Sequence, residues 1–230
     1  MLLWLALAAA PCVVLDAGHG GPADAGATSE LTKEKDLALA VVRRAQDQLI
    51  ERGIAVVLTR DSDQAKGLPE RARIANASGC GALVSIHFNA SVDPKLSGIE
   101  SYYLDTLKNR LPARIADIAH QKTGHEPKRT EVIVRDLQVR AQAAASGELA
   151  VRVLSSVLEK VRVLYPETRD NGARHDLFEL LASADMPAVI IEGGYVTHPP
   201  ERTRLADARY QSAIAAGITE AVSAFLRRPQ

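Results

Sequence analysis

The sequence predicts an α/β fold: a single domain with a mostly parallel twisted sheet, helices on its faces, and chemistry at the carboxyl ends of the strands. Short β-branched runs alternate with amphipathic helical segments, the pattern expected when crossover helices join parallel strands. Two of those runs lead into histidines and a third ends in a glutamate, and open parallel sheets place their sites at that edge. With 230 residues, 47% of them hydrophobic, the chain can bury one sizeable core and is short for two.

The opening run Cys12-Val13-Val14-Leu15 reads as a buried strand that enters the turn Asp16-Ala17-Gly18-His19-Gly20-Gly21, whose glycines let the backbone bend closely around an imidazole. Lys35 to Arg52 carries Leu37, Val41, Ala45 and Leu49 at four-residue spacing and stops at Gly53, which predicts an amphipathic helix. Ile54 to Leu58 is a second strand, and Pro69 with Glu70 opens a second helix that runs to Ala77. Ala82 to Ile86 is the next buried strand and delivers His87, while Gly98 to Leu104 is another, short and tyrosine-rich. Thr106 to Gln142 is the least periodic stretch, helical pieces broken by Pro112, Gly124 and Pro127. Ser146 to Leu164 is strongly helical, with Leu149, Val153, Val157 and Val161 on one stripe, and Pro166 with Asn171-Gly172 ends it. Ala188 to Glu192 is the last buried strand, and Asp207 to Arg227 a final amphipathic helix.

Lys+Arg and Asp+Glu number 28 each, so the formal net charge is zero. No global field draws this chain to nucleic acid or to an anionic membrane. Met1 to Ala10 is apolar throughout but far short of the ~20 residues that span a bilayer, so no membrane span is expected. Its length and Ala-x-Ala ending suit a shortened export signal, and residues 1–11 are read as a signal remnant. Cys12 and Cys80 open two apolar runs without a C-x-x-C spacing and are read as small buried hydrophobes, not as a pair.

Strands that run in one direction share one carboxyl edge, so His19, His87 and Glu192 can meet at one rim. Glu34 opens the first helix, where a carboxylate suits the helix dipole, and is the fourth candidate. Two imidazoles and one carboxylate with a fourth position open are what a catalytic zinc needs, and a second carboxylate can take a proton from water. No serine sits in a G-x-S-x-G elbow and neither cysteine has an obvious histidine partner, which disfavours nucleophilic catalysis.

The blocks Leu15-Asp16-Ala17-Gly18-His19-Gly20-Gly21, Asp24-Ala25-Gly26-Ala27, Glu34-Lys35-Asp36-Leu37, Leu58-Thr59-Arg60-Asp61, Arg71-Ala72-Arg73-Ile74-Ala75-Asn76, Ser85-Ile86-His87-Phe88-Asn89-Ala90 and Met186-Pro187-Ala188-Val189-Ile190-Ile191-Glu192 follow one another in order. In this the chain resembles the zinc-dependent N-acetylmuramoyl-L-alanine amidases, cell-wall enzymes that cut the bond between glycan and stem peptide. The resemblance covers about Cys12 to Leu226 and implies an amidase catalytic domain over 12–230, with Leu104 to Ala145 unmatched as an insertion. It implies that His19, Glu34 and His87 hold Zn2+ and that Glu192 is the catalytic carboxylate. Glu30, the rival to Glu34, lacks the following Lys-Asp. The implied partners are peptidoglycan and a protein activator, and the implied compartment is the periplasm or the extracellular cell wall. The alternative from another class is a non-catalytic homologue that binds peptidoglycan or regulates. Tyr195 and His198 stand where the family usually has Phe and Asn, and Asn171-Gly172 where it has Arg-Gly. Within the insertion, Ile115, Ile118 and Ala119 form an apolar stripe, and Glu126 and Glu131 offer carboxylates that could approach the metal.

Overall fold

Alternation at period two decides what each strand presents to each face of the sheet. The computed structural model describes residues 10–104, 115–118, 120 and 124–228. Its strands are β1 (Cys12–Ala17), β2 (Ala55–Leu58), β3 (Leu83–Asn89), β4 (Ile99–Leu104), β5 (Asp170–Asp176) and β6 (Ala188–Tyr195). The helices are α1 (Glu34–Glu51), α2 (Leu68–Ala77), α3 (Arg129–Arg162), α4 (Glu179–Ser183), α5 (Pro199–Leu205) and α6 (Ala208–Leu226). The strands form one sheet in the order β2-β1-β3-β6-β4-β5, parallel at every pairing except β4 against β6. The mostly parallel α/β architecture is therefore as expected, and the antiparallel member follows from a β3–β4 connection that holds no crossover helix.

On one face, Leu15 of β1, Ile86 and Phe88 of β3 and Ile191 of β6 pack with α1, α6 and the carboxyl half of α3 in the larger core. The predicted stripes Leu37–Val41–Ala45–Leu49 and Leu149–Val153–Val157–Val161 are all buried there. On the other face, Val14, Leu83 and Ile190 pack with Ala72 and Ala75 of α2 and with Leu180 and Leu181 of α4. That second face turns polar toward the carboxyl ends. Val14 is followed at the next in-facing position by Asp16, Leu83 by Ser85 and His87, and Ile190 by Glu192, so the site is written into the alternation.

Three expectations are corrected. Cys12 and Cys80 are not lone buried hydrophobes but a disulfide with Cα atoms 4.7 Å apart. Cys12 opens β1 and Cys80 lies just ahead of its parallel neighbour β3, and the amino edge of the sheet that both strands share brings them together. The helix placed from Ser146 begins at Arg129, because no proline or glycine interrupts the chain between Arg129 and Ser146. Its first half hid from pattern reading since only Val139 of that half is buried, while Ile133, Val134 and Leu137 are exposed. Asp170 to Asp176 is a strand, not a helix stop. It is polar because it is the exposed edge, where neither face has to be apolar.

Most of the segment read as a signal remnant, residues 1–9, lies outside the described residues, and so does part of the insertion. Pro11 is tied to the sheet, its carbonyl accepting the Ala55 N–H at 2.9 Å. No helix among the described residues is long and apolar enough to cross a membrane. The disulfide closes a sequence separation of 68 residues, for which chain entropy gives about 4 kcal/mol as an upper value. The double variant Cys12→Ser, Cys80→Ser should lower the urea midpoint accordingly, and an unchanged midpoint would show that the bridge contributes nothing.

Candidate metal centre

The turn after β1 is held rigid from below by buried charge. Asp16, 1% exposed, accepts Arg71 Nη1 at 2.7 Å and the hydroxyls of Thr59 and Ser85. Burial alone would push its carboxyl up, but Arg71 and the two hydroxyls outweigh this and hold it below the usual carboxylate range. Arg71 also donates to the carbonyls of Ala17 and His19, and the fully buried Arg60 donates to those of Ala17, Gly18 and Lys35. Two guanidiniums thus satisfy the carbonyls of a turn that has no ladder partner. His19 itself sits in the left-handed region, with φ 57°. The His87 ring lies against Gly18, where an added Cβ would come within 2.4 Å of it, so only glycine fits.

Glu34 is the hub. Its Oε1 lies 3.1 Å from His19 Nε2 and 2.8 Å from His87 Nδ1 and accepts the Phe88 N–H at 3.2 Å, while Oε2 accepts the Ala27 N–H at 2.8 Å. One donor atom from each of His19, Glu34 and His87 lies within 4.8 Å of the others. Ligands about 2.0–2.1 Å from a tetrahedral zinc stand roughly 3.3 Å apart, and the His19–Glu34 and His87–Glu34 spacings of 3.1 and 2.8 Å lie near that value. The electrostatics agree. His19 is raised to about 9, chiefly by its bond to Glu34. Burial opposes the ionised form of Glu34, yet the bonds from both imidazoles hold it far below the usual range. A site that favours imidazolium and carboxylate together is one that stabilises a cation.

Glu192 stands beside His87, their Cα atoms partners in the β3–β6 ladder. Burial raises its carboxyl to about 7, an effect offset in part by His87 and reinforced by Glu34 and Glu100. Its Oε2 is buried without a hydrogen-bond partner among the described residues. His19, His87 and Glu192 line one cavity of about 340 Å³, walled by Phe178, Leu180 and Ile190. A half-buried carboxylate with a free oxygen and a pKa near neutrality, next to a cation site, is equipped to accept and return a proton.

All four residues singled out in the sequence are thus brought together, and Glu30 is exposed outside the cluster. His198 caps α5, its Nδ1 facing the Glu201 N–H at 3.4 Å, and Tyr195 donates its hydroxyl to Glu100 at 3.0 Å. The carboxylates of the insertion do not reach the metal cluster. Glu126 pairs with His120 at 3.6 Å, Glu131 closes the capping box of α3, and Ile115 and Ile118 pack into the second core. Asp24 belongs to the block Asp24-Ala25-Gly26-Ala27, which by itself assigns it no role. Its Oδ1 lies 2.6 Å from His19 Nδ1, which leaves Nε2 facing Glu34 and orients the ring as outer carboxylates do for metal-bound histidines. Asp24→Ala should weaken metal affinity by about tenfold or more, measured by chelator competition, and an unaltered affinity would remove that role.

Comparison with known proteins agrees with this geometry. The family model described as N-acetylmuramoyl-L-alanine amidase matches residues 13–224. The chain is 28% identical over 227 residues to the amidase AmiA of Escherichia coli, covering 93% of this chain and 75% of that one. It is similar to the crystal structure of an N-acetylmuramoyl-L-alanine amidase from Clostridium difficile 630, with a TM-score of 0.74, 30% identity and coverage of 96% and 99%. A further likeness, TM-score 0.70 and 25% identity over 94% of this chain and 98% of that one, is to the CwlD amidase of Clostridioides difficile in complex with the GerS lipoprotein. With ordered motifs, sheet and site all contained in the matched span, the chain belongs to the N-acetylmuramoyl-L-alanine amidase family.

Proposed function

We propose that this chain is a zinc-dependent amidase, residues 12–230 its catalytic domain, hydrolysing the amide between N-acetylmuramic acid and the L-alanine of the stem peptide in peptidoglycan. The observation that carries the reading is the His19–Glu34–His87 cluster, whose two imidazoles line one cavity with Glu192 and its free buried oxygen. His19, Glu34 and His87 would hold the zinc, which when bound would supply Lewis acidity toward the scissile carbonyl and lower the pKa of water to about 7. Glu192 takes the proton of the attacking water and returns it to the departing alanine nitrogen, and a carboxyl near 7 can do both at neutral pH. Asp24 keeps His19 in the tautomer whose Nε2 faces the ion. Asp16, Arg60 and Arg71 keep the turn rigid, so the ligands need little rearrangement.

Mass spectrometry of sacculi digested with the zinc-loaded protein tests this. Free stem peptides that begin at L-alanine are expected. Binding to sacculi without release of peptides would mark the non-catalytic homologue instead. The substrate lies outside the cytoplasm, and the Cys12–Cys80 disulfide suits the same oxidising surroundings, which supports the periplasm or the cell wall as its place. A protein activator belongs to the same proposal, supported by the lipoprotein-bound likeness.

A further inference from the structure

The face of the sheet that carries the site does not stop at Glu192. Across the antiparallel β4–β6 pair, Glu100 is the register partner of Glu192 and Tyr102 that of Ile190. In the next pairing, Arg174 of β5 is the partner of Tyr102. Register partners point to the same face, so Glu100, Tyr102 and Arg174 lie on the face that carries the site, beyond its catalytic carboxylate. The Tyr102 ring meets Phe178 of the cavity wall edge-on at 5.3 Å.

Arg174 is held there by design of its neighbours. Glu100 is 1% exposed. Its Oε1 accepts Asn89 Nδ2 at 2.6 Å and the Tyr195 hydroxyl at 3.0 Å, whereas Oε2 makes no hydrogen bond and faces Arg174 Nη1 at 3.4 Å. Arg174 Nε donates to the Asn171 carbonyl at 3.1 Å. The guanidinium is therefore anchored on two sides while its side chain stays 55% exposed, so part of it remains accessible. Anchored arginines of this kind bind planar carboxylates. Of the residues that depart from the family's usual pattern, Tyr195 takes part in the anchoring through its hydroxyl on Glu100.

The direction of the substrate follows from the strand order. His87 lies on β3, Glu192 on β6, and β4 and β5 come next. Because Glu192 protonates the departing nitrogen, that nitrogen sits on the Glu192 side of His87, the side from which β4 and β5 extend. Two strand spacings are about 10 Å and two extended residues reach roughly 7 Å; the lean of Arg174 toward Glu100 closes the difference. We propose that Arg174, positioned by Glu100, is a subsite for the free carboxylate on the second residue of the stem peptide. This rests on the amidase reading above.

The test compares soluble, uncrosslinked peptidoglycan strands whose second stem residue carries either a free carboxylate or a carboxamide. The zinc-loaded protein should favour the carboxylate form about tenfold in kcat/KM, through KM. Arg174→Gln should erase that preference by raising KM on the carboxylate form, with kcat, zinc content and turnover of the amidated form unchanged. Arg174→Lys, which keeps the charge, should retain part of the preference. Equal turnover of the two forms by the unaltered protein, or equal slowing of both by Arg174→Gln, overturns the subsite and leaves the amidase reading standing. Cleavage of neither form overturns the amidase reading, and the subsite falls with it.

Discussion

Glu192→Gln is expected to lower kcat by about a hundredfold or more while zinc content stays stoichiometric. The amide has the shape of the carboxyl but cannot take a proton from water, and Glu192 is absent from the cluster of His19, Glu34 and His87. Metal analysis beside steady-state kinetics checks both halves. Near-full turnover would show that another group is the base. Zinc lost together with activity would place Glu192 among the ligands. Because its free oxygen is buried and its carboxyl sits near 7, the unaltered enzyme should lose activity as pH falls and the carboxylate is protonated. That limb should vanish in the variant's residual activity.

His87→Ala is expected to abolish both zinc and hydrolysis, since it removes one of the three proposed donors and the ring that covers Gly18. It also takes away one of the two imidazoles on Glu34 Oε1. That leaves a carboxylate, 6% exposed on its side chain, with its charge less compensated, so the metal-free variant should also be less stable than the parent at neutral pH. Chelator removal of zinc from the parent protein should likewise abolish turnover, but added zinc should restore it there and not in His87→Ala. Restored activity in the variant would mean that His87 is not a ligand.

Much of the site was legible before any coordinates. His87 and Glu192 each end a buried run, His19 sits in a glycine-relieved turn just past another, and Glu34 opens a helix; these are local features. Asp24 was not legible as a partner of His19, because an Asp five residues on in a glycine-rich loop has no fixed direction until the loop closes. Arg60 and Arg71 were visible only as members of motifs. Their work is to satisfy carbonyls 42 and 52 positions away in the chain, and no local pattern encodes such a partner.

The sequence by itself determined the α/β class, the alternation that buries one face and turns the other polar at its carboxyl ends, and the four residues that the fold brings together and to which the proposed chemistry is assigned. Those follow from side-chain period and from short-range punctuation by glycine and proline, which act over a few residues. Tertiary structure decided the rest: the Cys12–Cys80 pairing, the polar edge strand from Asp170, and the row Glu100–Tyr102–Arg174 beyond Glu192. Each depends on which strands become neighbours and in what register. That choice is made by packing between segments far apart in the chain, not by the residues within any one of them.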